Sequence, residues 1–339
     1  MPALSLFVTT TTQTRLLPKV IDSVLNGNVL TMRLLRGATS WRGGTSIDIA
    51  VNLSDITAVG SYFGFDTLST TQENIRQRAV FTPSQYYVSI PLSGIQTAIN
   101  QGEPAVINLV STEIDWRTRR LRDSMGDGVY SDGTGNNSKD ILGLIAAVGD
   151  TTTVTTYAGL SRATFTNWAA TVTAQSGSLS IANLAADFDA AQRGDDAPTL
   201  IVTTPAVFSI YEALLTPTVS HQFSMNDFRL VEDTGGVGST IVKIGGTVSA
   251  NQGFRALTFR GIPFVSDEKC TADNIYTLNE NHLRFYTIPR PNQEIRNGFS
   301  WTGFKEAINQ DAVVAQLLWA GQLTADAPRT MARRTGVTS

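Results

Sequence analysis

Apolar and polar residues alternate from Thr45 onward. Ile47, Ile49, Val51 and Leu53 interleave with Ser46, Asp48, Ala50 and Asn52, the period-two signature of a half-buried strand. After the segment 54–77 the alternation resumes more weakly, with Tyr86, Val88 and Ile90 sharing one face. The pattern predicts a long two-stranded ribbon. A lone ribbon is marginal in water and cannot cover its own apolar face, so this one must pack on the rest of the chain or on another copy. Between its strands lies Tyr62-Phe63-Gly64-Phe65, set among Thr, Ser, Gln and Asn. Either these rings fold back on the core, or they form an extended tip that docks on a neighbour.

The period then changes to that of a helix. Pro104 suits a first helical turn, and Ile107, Val110, Ile114, Leu121 and Met125 form an apolar stripe. A helix over 104–125 would span roughly 33 Å at about 1.5 Å per residue. Arg117, Arg119, Arg120 and Arg122 crowd its C-terminal half, where the dipole favours cations. They form either a solvated face or one that meets acidic residues of another subunit.

Ahead of the ribbon, residues 1–41 read as an arm. It carries a short helix candidate after Pro18 (Val20, Ile21, Val24 and Leu25 on one side), a stop at Asn26-Gly27-Asn28, and Gly43-Gly44 before the first strand. Beyond the long helix comes a polar, glycine-rich turn from Gly126 to Asn137. Ile141 to Ile145 restarts the apolar pattern, and 151–156 is a threonine-rich loop or edge strand. Helices follow at 180–193 and from Pro205, around a short buried strand at 199–202. Strands return at 254–265, 274–278, 283–288 and 312–323, with a last short one from Thr330. Strands and helices in this order predict an α+β protein.

Composition narrows the class. With 339 residues, 42% hydrophobic, the chain can build one large core or two ordinary ones. No apolar run approaches the roughly 18 residues of a membrane span, so no membrane partner is expected. The first thirteen residues make a poor signal peptide. A single cysteine, Cys270, rules out an internal disulfide framework. The net charge of −3 argues against tight, non-specific DNA binding by a basic surface. Of the 26 basic residues only Lys19, Lys139, Lys243, Lys269 and Lys305 are lysines. Arginine suits partly desolvated ion pairs at subunit contacts.

Catalytic parts are scarce. The glycine-rich turn lacks any Gly-Lys pair, which a phosphate loop requires, and it follows no strand, as a dinucleotide fingerprint would. Asp127, Asp132 and Asp140 miss the spacing of a calcium loop. His221 and His282 stand far apart without metal-ligand spacing. Cys270 has Lys269 beside it but no histidine nearby to act as base. No Gly-x-Ser-x-Gly elbow occurs, and no cofactor, metal or catalytic residue is expected.

Two segments carry a family resemblance: Val129-Tyr130-Ser131-Asp132-Gly133-Thr134-Gly135 with Asp140-Ile141-Leu142-Gly143-Leu144, and Tyr157-Ala158-Gly159-Leu160-Ser161-Arg162-Ala163-Thr164-Phe165-Thr166-Asn167-Trp168. Together they resemble the major capsid proteins of tailed bacteriophages, and the order of elements follows that family's layout. The resemblance implies an α+β, Hong Kong 97-like capsid fold with an N-terminal arm (1–42), an extended β-hairpin loop (43–92), a peripheral domain with a long spine helix (93–140 and 283–325) and an axial domain (141–282 and 326–339). It implies a coat protein that self-assembles into an icosahedral shell around double-stranded DNA, built in the host cytoplasm and resident in the virion. The implied partners are copies of itself as hexamers and pentamers, packaged DNA held non-specifically, a separate scaffolding protein and a portal.

Two departures refine this picture. Some members lock the shell covalently through a lysine on the extended loop, and this sequence has none between Lys19 and Lys139. The arm is also too short for the scaffolding segment that some members carry. Both point to a non-covalent shell, with Tyr62, Phe63 and Phe65 as anchors between subunits and Arg117, Arg119, Arg120 and Arg122 as candidates for pairs. The rival readings are an encapsulin-like compartment of the same fold and, from another class, a metal-binding or hydrolytic enzyme using the Asp-rich turn.

Overall fold

The computed structural model describes residues 28–54, 56–95, 103–175, 177–219, 256–290, 294–308 and 310–338. The helix expected around Val20–Leu25 and His221 lie outside them. In chain order the elements begin with α1 (Val29–Arg36), β1 (Thr39–Ser40), β2 (Ile47–Asn52), β3 (Arg76–Phe81), β4 (Ser84–Ser93), α2 (Glu103–Val129), β5 (Thr156–Tyr157) and β6 (Leu160–Ser161). Then come β7 (Thr171–Ala174), α3 (Ile181–Ala191), β8 (Leu200–Thr203), α4 (Pro205–Val219), β9 (Ala256–Phe259), β10 (Ile262–Ser266) and β11 (Ile275–Leu278). The chain ends with β12 (Leu283–Thr287), β13 (Glu294–Arg296), β14 (Phe299–Trp301), β15 (Lys305–Glu306), β16 (Ala312–Ala325) and β17 (Ala332–Thr335). Two compact units result: Met1–Ala170 with Asn281–Arg329, and Thr171–Glu280 with Thr330–Ser339.

The first unit is organised by β16. This strand pairs antiparallel with β4 from Ala312↔Ser93 to Gly321↔Ser84, and also with β12, β14 and β15. Its buried residues Ala315, Leu317, Trp319 and Leu323 explain so long a strand: one face is core from Ala315 onward. Trp319 sits between Tyr86, at 6.1 Å, and Phe285, at 5.8 Å between ring centroids. Helix α2 lies on β4, burying Ile114, Leu121, Met125 and Val129. It runs past the expected end at Met125, through Gly126 and Gly128. A Cβ at Gly128 would stand 2.5 Å from the Tyr86 hydroxyl, so close packing against β4 outweighs the poor helix propensity of glycine there.

The ribbon differs from its expected form. The partner of β2 is β3, in register from Ile47↔Phe81 to Asn52↔Arg76, and the strand bearing Tyr86, Val88 and Ile90 belongs instead to the β16 sheet. Thr82-Pro83 separates the two, since proline has no N–H to continue a ladder. In β3 the outward Arg76 and Arg78 mask an inward set, Ala79 and Phe81, that is fully buried with Ile47 and Val51. The apolar face of the ribbon's base is therefore covered by its own chain, with Phe81 edge-on to Tyr157 at 5.5 Å.

Residues 141–170 form part of the first compact unit, and the chain passes from that unit to the second at 170/171. They are held there by backbone and side-chain bonds: Val80 N to Ala158 O at 2.9 Å, Asn167 Nδ2 to Leu53 O at 3.1 Å, and Ala325 N to the Tyr157 hydroxyl at 3.1 Å.

The second unit is a six-stranded mixed sheet in the order β7-β17-β11-β8-β10-β9. Leu184 and Phe188 of α3 and Val207, Phe208 and Tyr211 of α4 join Ile201, Phe264 and Ile275 of the sheet in one core. Ser180 caps α3 by accepting from Asn183 N at 3.2 Å. On β17, buried Arg334 grips buried Asp187 of α3 with two bonds of 2.6 and 2.7 Å. Burial pushes the Asp187 carboxyl up, against the opposing pull of Arg334.

Candidate subunit-contact surfaces

The two family-like segments turn out to be scaffolding for the first unit. Arg162 is fully buried, and its guanidinium donates to four main-chain carbonyls: Nε to Trp168 at 3.0 Å, Nη1 to Val154 at 3.0 Å, and Nη2 to Ala146 at 2.7 Å and Ala147 at 2.9 Å. Trp168 Nε1 in turn donates to Tyr157 O at 3.0 Å, and Arg162 lies 5.1 Å over the Tyr157 ring. Ala158 and Gly159, both at positive φ, make the tight turn between β5 and β6. So Tyr157, Arg162 and Trp168 form one packed cluster.

The glycine-rich turn is similarly built for close approach. A Cβ at Gly143 would meet the carbonyls of Gly128 and Val129 at 2.5 Å. Ser131 Oγ reaches the carbonyls of Gly128 and Ile141 at 2.9 and 2.7 Å. Asp132 accepts from Thr134 N at 2.9 Å and Thr134 Oγ1 at 2.8 Å, which holds its carboxyl below the usual range. Its Oδ1 thus serves the turn, and among the described residues no cluster of His, Cys, Asp or Glu has metal-holding geometry. Burial pushes the Cys270 thiol far up, away from the thiolate a nucleophile needs. His282 Nδ1 lies 2.7 Å from Asp326 Oδ1 at the end of the β12–β16 pair.

Among the described residues, the ribbon's tip carries a run of large apolar side chains that its own chain leaves bare. From Ile56 to Leu68 it exposes Ile56, Val59, Tyr62, Phe63, Phe65 and Leu68, with Phe63 at 88% and Phe65 at 107% relative exposure. The tip is nonetheless shaped. Thr57 N donates to Glu73 Oε2 at 2.9 Å, and the Thr57 hydroxyl donates to the same carboxylate, closing the loop across its neck and lowering the Glu73 pKa. Phe63 N donates to Asp66 Oδ2 at 2.8 Å and Asp66 N to Phe63 O at 3.3 Å, with Gly64 at φ +62° between the rings. This turn splays Phe63 and Phe65 into solvent. A patch of six large apolar side chains exceeds the scattered exposure normal for a surface.

The arginines of α2 divide. Arg117 is occupied within the chain, with Nε on Glu113 Oε2 at 3.0 Å and Nη1 on Ser89 O at 2.9 Å. Arg119 and Arg120 point to solvent. The Arg122 side chain lies outside the described residues. Trp116, which sequence reasoning passed over, is 71% exposed on the same face as Arg119 and Arg120. Its position off the stripe of Ile114, Leu121 and Met125 was the available signal.

No family model matches this chain, and no curated protein matches it in sequence. Solved structures do match over most of its length. The cyanophage A-1(L) capsid subunit aligns over 91% of this chain and 93% of its own, with a TM-score of 0.63 at 16% identity. The capsid of Myoviridae phage XM1 aligns over 91% and 92%, with a TM-score of 0.54 at 11% identity. The encapsulin of Synechococcus elongatus PCC 7942 aligns over 91% and 87%, with a TM-score of 0.52 at 13% identity. The fold of this chain is the Hong Kong 97-like shell fold that these proteins share.

Proposed function

We propose that this chain is the major capsid protein of a tailed phage, a structural subunit that assembles into an icosahedral shell around double-stranded DNA. The observation that carries the reading is a shell-subunit fold over nine-tenths of the chain joined to a shaped, ring-bearing tip that its own chain leaves bare. The work is mechanical: each copy's contacts are weak and their multiplicity closes the shell. A net charge of −3 suits a wall that lets DNA enter and leave. Hexamers and pentamers of the chain, a separate scaffolding protein, a portal and assembly in the host cytoplasm complete the reading.

The likeness to an encapsulin favours a second reading, a compartment shell holding protein cargo. Particles purified from cells carrying the chain's native gene neighbourhood separate the two. Nuclease-protected DNA of uniform length supports the capsid, whereas a co-purifying enzyme in nucleic-acid-free particles supports the compartment.

A further inference from the structure

Charge is spread unevenly over the first unit. Across β4, β12 and β16 there is no aspartate or glutamate, although the whole chain has a net charge of −3. The register sorts these strands into two faces, since residues directly opposite in a ladder point the same way. Leu317 and Trp319 share one face with Val88 and Tyr86, and there Tyr86 meets Gly128 of α2. The even-numbered positions of β16 form the other face. On it Arg284 stands opposite Thr324, Tyr87 opposite Leu318 and Lys305 opposite Val314. Arg290 joins them, its Nη2 on Gln85 Oε1 at 3.4 Å, and Gln85 stands opposite Ala320. Arg284, Lys305 and Gln85 are exposed, and Tyr87 is 70% exposed. Of the sheet's acidic residues, Glu306 stands opposite Val313 on the α2 side, and Glu294 belongs to β13 at the far edge. We infer that the face turned away from α2 binds the sugar–phosphate backbone of duplex DNA, with Arg284, Arg290 and Lys305 as its phosphate contacts. The inference rests on the shell reading and names the surface of the subunit that meets the packaged DNA.

Spacing and chemistry favour DNA as the occupant. The rows of Val314 and Thr324 lie roughly 33 Å apart along β16, at about 3.3 Å per residue. One turn of B-DNA rises about 34–36 Å, so the three cations span one turn of a duplex laid along the strand. Arg284 and Arg290 meet neutral acceptors within the chain, the Asn281 carbonyl at 3.4 Å and the Gln85 amide, contacts that leave their charge in place. Between the cations stand uncharged donors to phosphate oxygens: Gln85, Gln316 and the Tyr87 hydroxyl. Groups of this kind hold a backbone without reading bases, as non-specific contact requires. Three phosphate contacts per copy are weak and sensitive to salt, losing roughly 40-fold in affinity between about 50 and 200 mM. A wall of such sites holds DNA by repetition and releases it site by site.

The test measures binding of the full chain, before assembly, to a mixed-sequence duplex of about 30 bp across that salt range. The logarithm of affinity is expected to fall against the logarithm of salt with a slope near −3 (about −0.9 for each of the contacts). Arg284→Gln, Arg290→Gln and Lys305→Gln together should remove most of that slope while leaving the circular dichroism spectrum unchanged. Arg119→Gln with Arg120→Gln, on α2, should keep it. An unchanged slope in the triple variant, or its loss in the α2 variant, overturns the proposal. So does tighter binding of poly-L-glutamate than of the duplex, which would make the partner an acidic protein. In DNA-filled particles, acylation of Lys305 relative to exposed Lys139 should rise once the DNA is released. Equal labelling in filled and emptied particles overturns the surface while leaving the shell reading intact, and failure of the unsubstituted protein to form particles overturns the shell reading and the assignment to packaged DNA with it.

Discussion

The Nε of Arg162 donates to the carbonyl of Trp168 at 3.0 Å, inside the first unit and out of reach of solvent. The same guanidinium satisfies carbonyls of Val154, Ala146 and Ala147, so one side chain ties together three separate turns of the backbone. Buried main-chain carbonyls without partners cost about 1–3 kcal/mol each. Arg162→Ala should therefore destabilise the protein by about 4 kcal/mol or more, measured by urea unfolding of the unassembled subunit. Arg162→Lys should recover less than half of that, because one ammonium cannot span the fork. A loss below about 1 kcal/mol for the alanine variant would contradict this role.

The pair Arg334–Asp187 gives a second test in the other unit. Removing one partner leaves a buried charge uncompensated, so Asp187→Ala should cost about 3–5 kcal/mol. The double variant Asp187→Leu with Arg334→Met should be less destabilised than Asp187→Ala. Equal or greater loss in the double variant would show that the pair's worth lies beyond charge compensation.

The tip should matter to assembly and not to folding. Replacing Tyr62, Phe63 and Phe65 together by Ser removes only exposed rings, so subunit stability should change by less than about 0.5 kcal/mol. Deleting 58–74 should likewise leave the circular dichroism spectrum native. Both variants should fail to form closed shells, as judged by sedimentation. Normal particles from either would remove the tip from the assembly contact.

The neck of the tip has a pH signature. Thr57 donates to the Glu73 carboxylate and lowers its pKa, so this closure is present above the ordinary glutamate range and is lost as pH falls through the folded value. An NMR titration should place the Glu73 midpoint below its midpoint in a Thr57→Gly variant. Coincident midpoints would show that the Thr57 hydroxyl bond does not hold the charge.

Much of the fold was legible in the alternation and helical spacing. β2, α2, α3, β11, β12, β16 and β17 lie where the sequence pattern put them, whereas the strand expected at 254–265 is the pair β9 and β10, and β13, β14 and β15 were not expected. The strand pairing was not legible. In β3 the arginines at 76 and 78 hide a short inward face, while Tyr86, Val88 and Ile90 offer a plausible alternation that actually serves β16. The packing of 141–170 depends on what Arg162 reaches in space, which spacing along the chain does not show. At the surface, the exposed rings were readable as a cluster. The division among the arginines was not, since the Ser89 carbonyl occupies Arg117 only once α2 lies on β4.

The central claim is assembly, and sedimentation velocity on the purified protein across a wide concentration range tests it most directly. The account predicts pentamers, hexamers or closed particles, seen as discrete fast-sedimenting species and as rounded shells by negative stain. A strictly monomeric species at every concentration would contradict it.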